Sequence, residues 1–361
     1  MTRLRRSPGA AIAIVAVVLM VVVGAAIGAS KARAEPTPDL PAVTADQLLA
    51  SSITAMNAPG AISGDVRTRL DIGLPEIPAS LSGAASGVGI TDVLGSMIGV
   101  QRFRVWSSQD GIRVQHVMDL QEQDLVANPS QAWFWDSATA TATKLRASGL
   151  TALPTPPSTP QDQMKNVDPV ALAKHLLSQA STCGSVSVGV PEVVAGRDAY
   201  VLHYAPASDM TLVGDVAVAV DAQTRLPLDV SITARGATAP SVEAGFTSVS
   251  FDPIDPSMFT FTPPADATVQ DVTGQVSDAI ASAKAHHADI PASERPVLEG
   301  SCFDTSVAIP LHEALPAQVT SLLPYSGPLW SAIVTEHAGK SWLLIGPVDV
   351  ETLQARAAAL P

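Results

Sequence analysis

The residues that could do chemistry are few and scattered. His286-His287, followed by Asp289, is the one cluster that brings metal-ligand types close together. Adjacent imidazoles cannot both turn toward one ion from a helix or strand without distortion, and the cluster falls in a stretch read as linker. No metal is expected there. His116, His175 and His203 have no nearby Ser or Cys partner at a spacing that supports nucleophilic catalysis. Glu243 and Asp252 have no recognisable acid–base counterpart. The chain carries no Gly-x-Ser-x-Gly elbow, no full phosphate-loop motif and no Gly-x-Gly-x-x-Gly dinucleotide signature. We therefore expect a non-enzyme with no catalytic residue and no cofactor.

What remains is apolar contact. Trp106, Trp133 and Trp135 lie on adjacent predicted strands. Their large flat rings either line a cavity that holds acyl chains or pack the sheet's core. Phe103 and Val105 share one parity on the first of these strands, and Ile112, Val114 and Met118 share one on the next. Val218, Leu228 and Val230 supply the apolar parity of a later meander. Cys183 and Cys302 match no zinc spacing, but in an oxidising compartment they could form one long-range disulfide.

These side chains need elements to hold them. Thr44 to Gln47 reads as a capping box opening a helix through Leu48, Leu49, Ile53 and Met56, which Pro59-Gly60 ends. Ser63 to Ile72 alternates Val66, Thr68, Leu70 and Ile72 against charged residues, as a half-exposed strand does. Gly73 to Gly99 reads as a loose, glycine-rich insertion. Val100–Trp106 and Gly111–Asp119 form a hairpin, followed by strands at 121–126, 133–135 and 141–145. Asp168-Pro169 opens a helix with an apolar stripe ending at Cys183-Gly184. The segment Gly196 to Thr233 then alternates through three runs, with Asp221 starting the second turn. That is a three-strand antiparallel meander. Residues 241–252 give another strand, and Pro256 to Val269 closes the unit with Phe259 and Phe261 on one face. A short helix is expected over Val269 to Ala283. The tail holds a hairpin at 332–345 and a helix capped by Asp349, too little to form a core alone.

Length and charge bound the function. The 361 residues are 47 % hydrophobic and only 4 % aromatic, enough for a core built largely of Ala and Val. Net charge is −13, and residues 1–34 carry five positive charges, which leaves −18 on the rest. A body that acidic repels phosphate backbones, so nucleic acid is excluded as a partner. Arg3, Arg5 and Arg6 precede a twenty-residue apolar run, Ala10 to Ala29. At about 1.5 Å per residue that run can cross a bilayer's hydrocarbon core. Ala32 and Ala34 then fit a signal-peptidase site. Cleaved signal and retained anchor both export the rest of the chain, so the body is expected outside the cytoplasm, secreted or anchored by residues 10–29. The organisation expected is 1–34 signal or anchor, 35–42 a proline-rich linker, 43–272 the main unit, 273–296 a second linker, and 297–361 a small hairpin-and-helix unit.

Three segments resemble one family. QAWFWDSATATATKL (131–145) is similar to the Trp-Phe-Tyr strand and polar hairpin of the lipoprotein carriers of the LolA superfamily and their sensor branch, RseB. The helix at 168–180 followed by GRDAYVLHYAPAS (196–208) resembles their helix-to-strand passage. PSMFTFTPPADATVQDV (256–272) resembles the Phe-Thr-Phe-Thr-Pro-Pro run that closes their sheet. The resemblance spans about 43–272. It implies an α+β fold, an incomplete antiparallel β-barrel whose concave, apolar side is covered by helices. It also implies a lipid or lipoprotein acyl chain as ligand and, for the sensor branch, a membrane protein partner. The cavity candidates under that reading are Phe103, Val105, Trp106, Val114, Met118, Trp133, Trp135, Val218, Leu228 and Val230. The carriers latch their lid with an arginine after the strand matching 103–106. Ser107, Ser108, Gln109 and Asp110 stand here instead, so that load-and-release cycle does not carry over.

Overall fold

A computed structural model describes residues 37–57, 60–71, 73, 99–118, 120–147, 180–278, 295–311, 315 and 317–360. The apolar run 10–29, the insertion 74–98, most of the 168–180 helix and His286-His287 lie outside the described residues. Among those described, no helix is long and apolar enough to cross a membrane.

The molecule is mainly strand. Its larger sheet is open and runs in the order β13-β6-β5-β4-β3-β2-β1-β12-β11-β10-β9-β7, with β8 also on β9. In chain order these are β1 (Ile62–Leu70), β2 (Gly99–Ser108), β3 (Gly111–Val117), β4 (Glu122–Asn128), β5 (Gln131–Asp136) and β6 (Thr141–Arg146). Then come β7 (Gly184–Val188), β8 (Glu192–Val194), β9 (Arg197–Pro206), β10 (Val213–Asp221), β11 (Pro227–Ala234), β12 (Val242–Ser250) and β13 (Thr268–Asp271). Two antiparallel meanders, β2–β6 and β9–β12, meet at β1, which pairs β2 on one side and β12 on the other. Among the described strands only β13 runs parallel to its neighbour, β6.

The turns follow their residues. At the β5–β6 hairpin Asp136 Oδ1 accepts from the N–H groups of Ala138 and Thr139 (2.8 and 3.3 Å). At the β10–β11 turn Asp221 Oδ1 accepts from those of Gln223 and Thr224 (3.0 and 2.6 Å). In both, the carboxylate satisfies backbone donors that the sheet cannot reach. The helix α1 (Ala45–Asn57) opens on the capping box: the Gln47 N–H donates to Thr44 Oγ1 (3.4 Å) and the Thr44 N–H to Gln47 Oε1 (3.2 Å). The proline-rich stretch before it is docked rather than a free tether. Leu40 and Val43 pack with Leu48, Tyr200 and Val220, and the Tyr200 hydroxyl donates to the Pro41 carbonyl (2.9 Å).

One expectation changes near residue 270. Pro256–Phe259, in the segment expected to close the unit, is a 3-10 turn whose Ser257 N–H donates to the Asp255 side chain. Val269 belongs to β13 and not to a helix. Helical structure starts after it, at Thr273, with Val272 and Val276 buried.

The C-terminal part is more than a hairpin and a helix. Strands β14 (Val297–Glu299), β15 (Ser306–Leu311), β16 (Tyr325–Ser326), β17 (Ser331–His337) and β18 (Lys340–Gly346) form a second sheet ordered β14-β15-β18-β17-β16. With α2 (Val350–Ala357) they enclose their own core of Ala308, Ile333, Trp342, Leu344, Val348, Leu353, Ala357 and Leu360. Asp349 caps α2, accepting from the Thr352 N–H (2.7 Å). The expectation that this tail lacks a core is corrected. The three short strands add the missing faces, and their length hides them from periodicity.

Candidate functional site

Register decides which side chains share a face. Directly paired residues of an antiparallel ladder point to the same side of the sheet. Val66 pairs with Phe103, Phe103 with His116, Val105 with Val114, and Val114 with Leu125. On the other side of β1, Thr68 pairs with Ala244, Ala244 with Val230, Val230 with Val218 and Val218 with Leu202. One face therefore runs from Val114 and Phe103 through Thr68 and Val230 to Leu202.

The tryptophans are on the other face. Trp106 pairs with Arg113, Arg113 with Val126, Val126 with Trp133, and Trp135 with Asp124. Segment 256–261 covers Trp133 and Trp135. Phe261 lies 5.7 Å from Trp133 and 6.2 Å from Trp135 between ring centroids, and Phe259 is 2 % exposed. Gly111 permits this closure, since a Cβ there would stand 2.9 Å from the Phe259 ring. Trp133 is buried, with Lys144 Nζ 5.0 Å from its ring, and Arg113 lies 5.9 Å from Trp106. The ten cavity candidates thus do not line one surface. Trp106, Trp133 and Trp135 sit opposite Phe103, Val105, Val114, Val218 and Val230, because odd and even positions of these strands point to opposite sides.

The remaining candidates divide further. Leu228 is 0 % exposed and belongs to the core with Val66 and Phe246, against which Phe103 and Val105 also pack. Val114 is buried, and Met118 is half-buried in the turn after β3. Val218 and Val230 remain half-buried on the apolar face. Leu48 of helix α1 packs with Tyr200, Leu202, Val218 and Val220 on that face. Leu329 and Trp330 of the C-terminal unit cover another part of it, against Val216, Ile232 and Val242.

A shallow, open pocket of about 530 Å³ lies on the same face, lined by Ala180, Cys183, Tyr204, Val216, Cys302 and Phe303. Cys183 and Cys302 are joined by a disulfide across 119 residues, which fastens the C-terminal unit beside it. Phe303 lies 5.0 Å from Tyr204, ring to ring. The Tyr204 hydroxyl is buried without a hydrogen-bond partner among the described residues, and burial pushes its pKa up, so it stays a protonated donor. Gly184 makes room for it, as a Cβ there would be 2.7 Å from that oxygen. Tyr204, Phe303 and Val216 were not among the candidates, and parity alone does not single them out. The signal available was Tyr204 on the meander's apolar parity.

The same side of the molecule carries a polar joint. The Ser208 hydroxyl donates to Asp304 Oδ2 (2.6 Å), and this bond, ahead of the neighbouring Arg356 charge, holds the Asp304 carboxyl below its usual range. Thr211 bridges to Val348, and the Leu212 N–H donates to the Pro347 carbonyl (2.7 Å). Arg356 on α2 donates to the carbonyls of Glu299 (3.0 Å) and Asp304 (2.6 Å).

Two buried ion pairs lie elsewhere. Arg113 donates to Asp124 (Nη2 to Oδ2, 2.6 Å), and Arg197 donates to Asp221 through Nε and Nη2. At the second pair the Thr224 hydroxyl also donates to Asp221 Oδ1 (2.9 Å). Among the described residues no group of three or more His, Cys, Asp or Glu could hold a metal ion.

Neither a scan of protein-family models nor a search of curated proteins finds a match. Solved structures similar to this chain include the MucA/MucB complex of Pseudomonas aeruginosa, at 14 % identity over 87 % of this chain and 96 % of that one, with TM-score 0.44. A second is an uncharacterized conserved protein from Thermus thermophilus, at 8 % identity over 62 % of this chain and 96 % of that one, with TM-score 0.34. A third is the LolA superfamily protein NE2245 from Nitrosomonas europaea, at 12 % identity over 61 % of this chain and 99 % of that one, with TM-score 0.23.

Proposed function

We propose that this is an extracytoplasmic, non-enzymatic protein that holds the acyl chains of a lipid or lipidated protein against the apolar face of a half-barrel. One observation carries the reading: the open pocket of about 530 Å³ at Tyr204, Val216 and Phe303 lies on the face that Val218 and Val230 share. That volume falls in the range of small-molecule sites, roughly 300–1,000 Å³. Burying each CH₂ there contributes about 0.8 kcal/mol, so a long chain binds without a charged contact. The unpartnered Tyr204 hydroxyl is placed to donate to a ligand carbonyl. Helix α1 and the C-terminal unit act as the covers of the face. Residues 1–34 deliver the body to the outer side of a membrane, as a cleaved signal or as an anchor.

Organic extraction and mass spectrometry of protein purified without detergent test the reading. Acyl lipid in stoichiometric amount is expected. Protein that is empty after purification and does not take up fluorescent fatty acyl probes overturns it.

The separate core of the C-terminal sheet supports a second reading, a sensor that contacts a membrane partner through that unit. A membrane protein captured by the full chain, and lost when 296–361 is deleted, favours it. Capture that persists after the deletion counts against it.

A further inference from the structure

At the other end of β9 from Tyr204 lies a second pocket, about 350 Å³, between Leu40-Pro41, residues 196–200 and the 221–225 turn. Its charged groups differ in how far they are already paired. Arg197 directs Nε and Nη2 at Asp221, and Nη2 also reaches Gln223 Oε1 (3.2 Å). Asp221 accepts in addition from Gln223 and Thr224. That pair is closed. Asp198 is exposed at the rim, and Asp39 is exposed next to Leu40.

Arg225 is different. Its backbone stands at φ +63°, a left-handed conformation that costs a side-chain-bearing residue. That conformation lays the guanidinium 4.8 Å over the Tyr200 ring. Its Nη1 is buried and makes no hydrogen bond, and no carboxylate among the described residues pairs with it. A strained backbone holding a half-buried guanidinium against an aromatic floor, with one of its nitrogens unpartnered among the described residues, is an arrangement that a bound anion would complete. The guanidinium fork matches oxyanions with two parallel N–H donors.

We propose that this pocket is an oxyanion site that takes a phosphate group carried on a small substituent, with Arg225 as the principal donor. Its volume belongs to small-molecule sites rather than to a single bound ion. The substituent is either the glycerol of a lipid headgroup or that of a free phosphate ester; the recognised chemistry is the same. The chain's net charge of −13 disfavours diffuse phosphate association, so saturable binding reports on a built site. The oxyanion site stands whether or not the apolar face holds acyl chains.

The test is calorimetric titration of the full chain with sn-glycerol 3-phosphate and with inorganic phosphate, alongside co-sedimentation with phosphatidylglycerol vesicles. Saturable binding of glycerol phosphate is expected, weakened at least tenfold in Arg225→Gln and partly retained in Arg225→Lys. Gln223→Glu, an exposed change that adds a carboxylate at the rim, weakens binding similarly and guards against a folding defect in the arginine variants. Vesicle binding that falls in Arg225→Gln assigns the lipid source. Glycerol phosphate binding without vesicle binding assigns a free ester. No saturable binding of any probe, or equal binding by wild type and Arg225→Gln, overturns the proposal, as does a variant that lowers thermal stability while binding unchanged.

Discussion

Val218 on β10 stands directly opposite Val230 on β11, on one apolar face, yet the two have different neighbours. Val218 packs with Leu48 of α1, whereas Val230 lies outside the clusters built around the helix and the C-terminal unit. Leu228, two residues away, is completely buried.

Three aspartate substitutions therefore separate. Val230→Asp should abolish co-purifying acyl lipid while shifting the denaturation midpoint little. Val218→Asp should lose lipid and also loosen α1. Leu228→Asp places a charge in the core and should prevent folding. Circular dichroism melts beside lipid mass spectrometry check the order. Lipid content unchanged in Val230→Asp removes this face from the site.

The tryptophan face makes the complementary prediction. Trp133→Ala should destabilise by about 3–5 kcal/mol, as other large core truncations do. Lipid bound by the fraction that folds should be unaffected. Brominated acyl chains should not quench Trp133 or Trp135, because the sheet lies between them and the apolar face and segment 256–261 covers their own side. Strong quenching would place the ligand on the wrong side of this sheet.

The disulfide gives a stability test. Cys183→Ser or Cys302→Ser should cost about 2–5 kcal/mol, the usual loss when a long loop is opened. The Ser208–Asp304 bond and the Thr211–Val348 bridge remain, so the C-terminal unit should loosen rather than unfold. Limited proteolysis of the oxidised and reduced protein reads this directly, with faster separation of the C-terminal unit from the body expected after reduction. Identical patterns would show that the sulfur bridge adds nothing to that joint.

Asp221 and Asp124 are both 1 % exposed and both paired to an arginine, but their carboxyl groups shift in opposite directions. Burial raises each. At Asp124 burial prevails over Arg113, and the value rises. At Asp221 the bonds from Arg197, Thr224 and Gln223 together outweigh burial, and the value falls. Asp221 thus contributes stability that is present above the unfolded value of about 4 and lost as pH falls through its lowered folded value. The Asp124 charge instead costs stability above its raised value, a cost relieved as pH falls. Asp221→Asn should lose about 3 kcal/mol at neutral pH, a gap that closes in acid. Asp124→Asn should lose less. Urea unfolding between pH 3 and 8 measures both, and equal losses would contradict the assignment.

The sequence by itself determined the local elements. Alternation in 63–72, 100–118 and 196–233, the Asp turns at 136 and 221, and the caps at Thr44 and Asp349 all act over a few residues, so their patterns are legible along the chain. The short runs 131–145 and 256–272 also carry the resemblance to the lipoprotein-carrier superfamily. Which apolar face is which was not legible. A strand's parity is local, but its relation to the next strand depends on ladder register, and register put the three tryptophans behind the sheet and Val230 in front. The pockets at Tyr204 and at Arg225 are likewise tertiary. Each brings together residues from distant segments, Cys183 with Cys302 in one and Pro41 with Arg225 in the other. Only packing fixes those distances, since no periodicity spans the residues between.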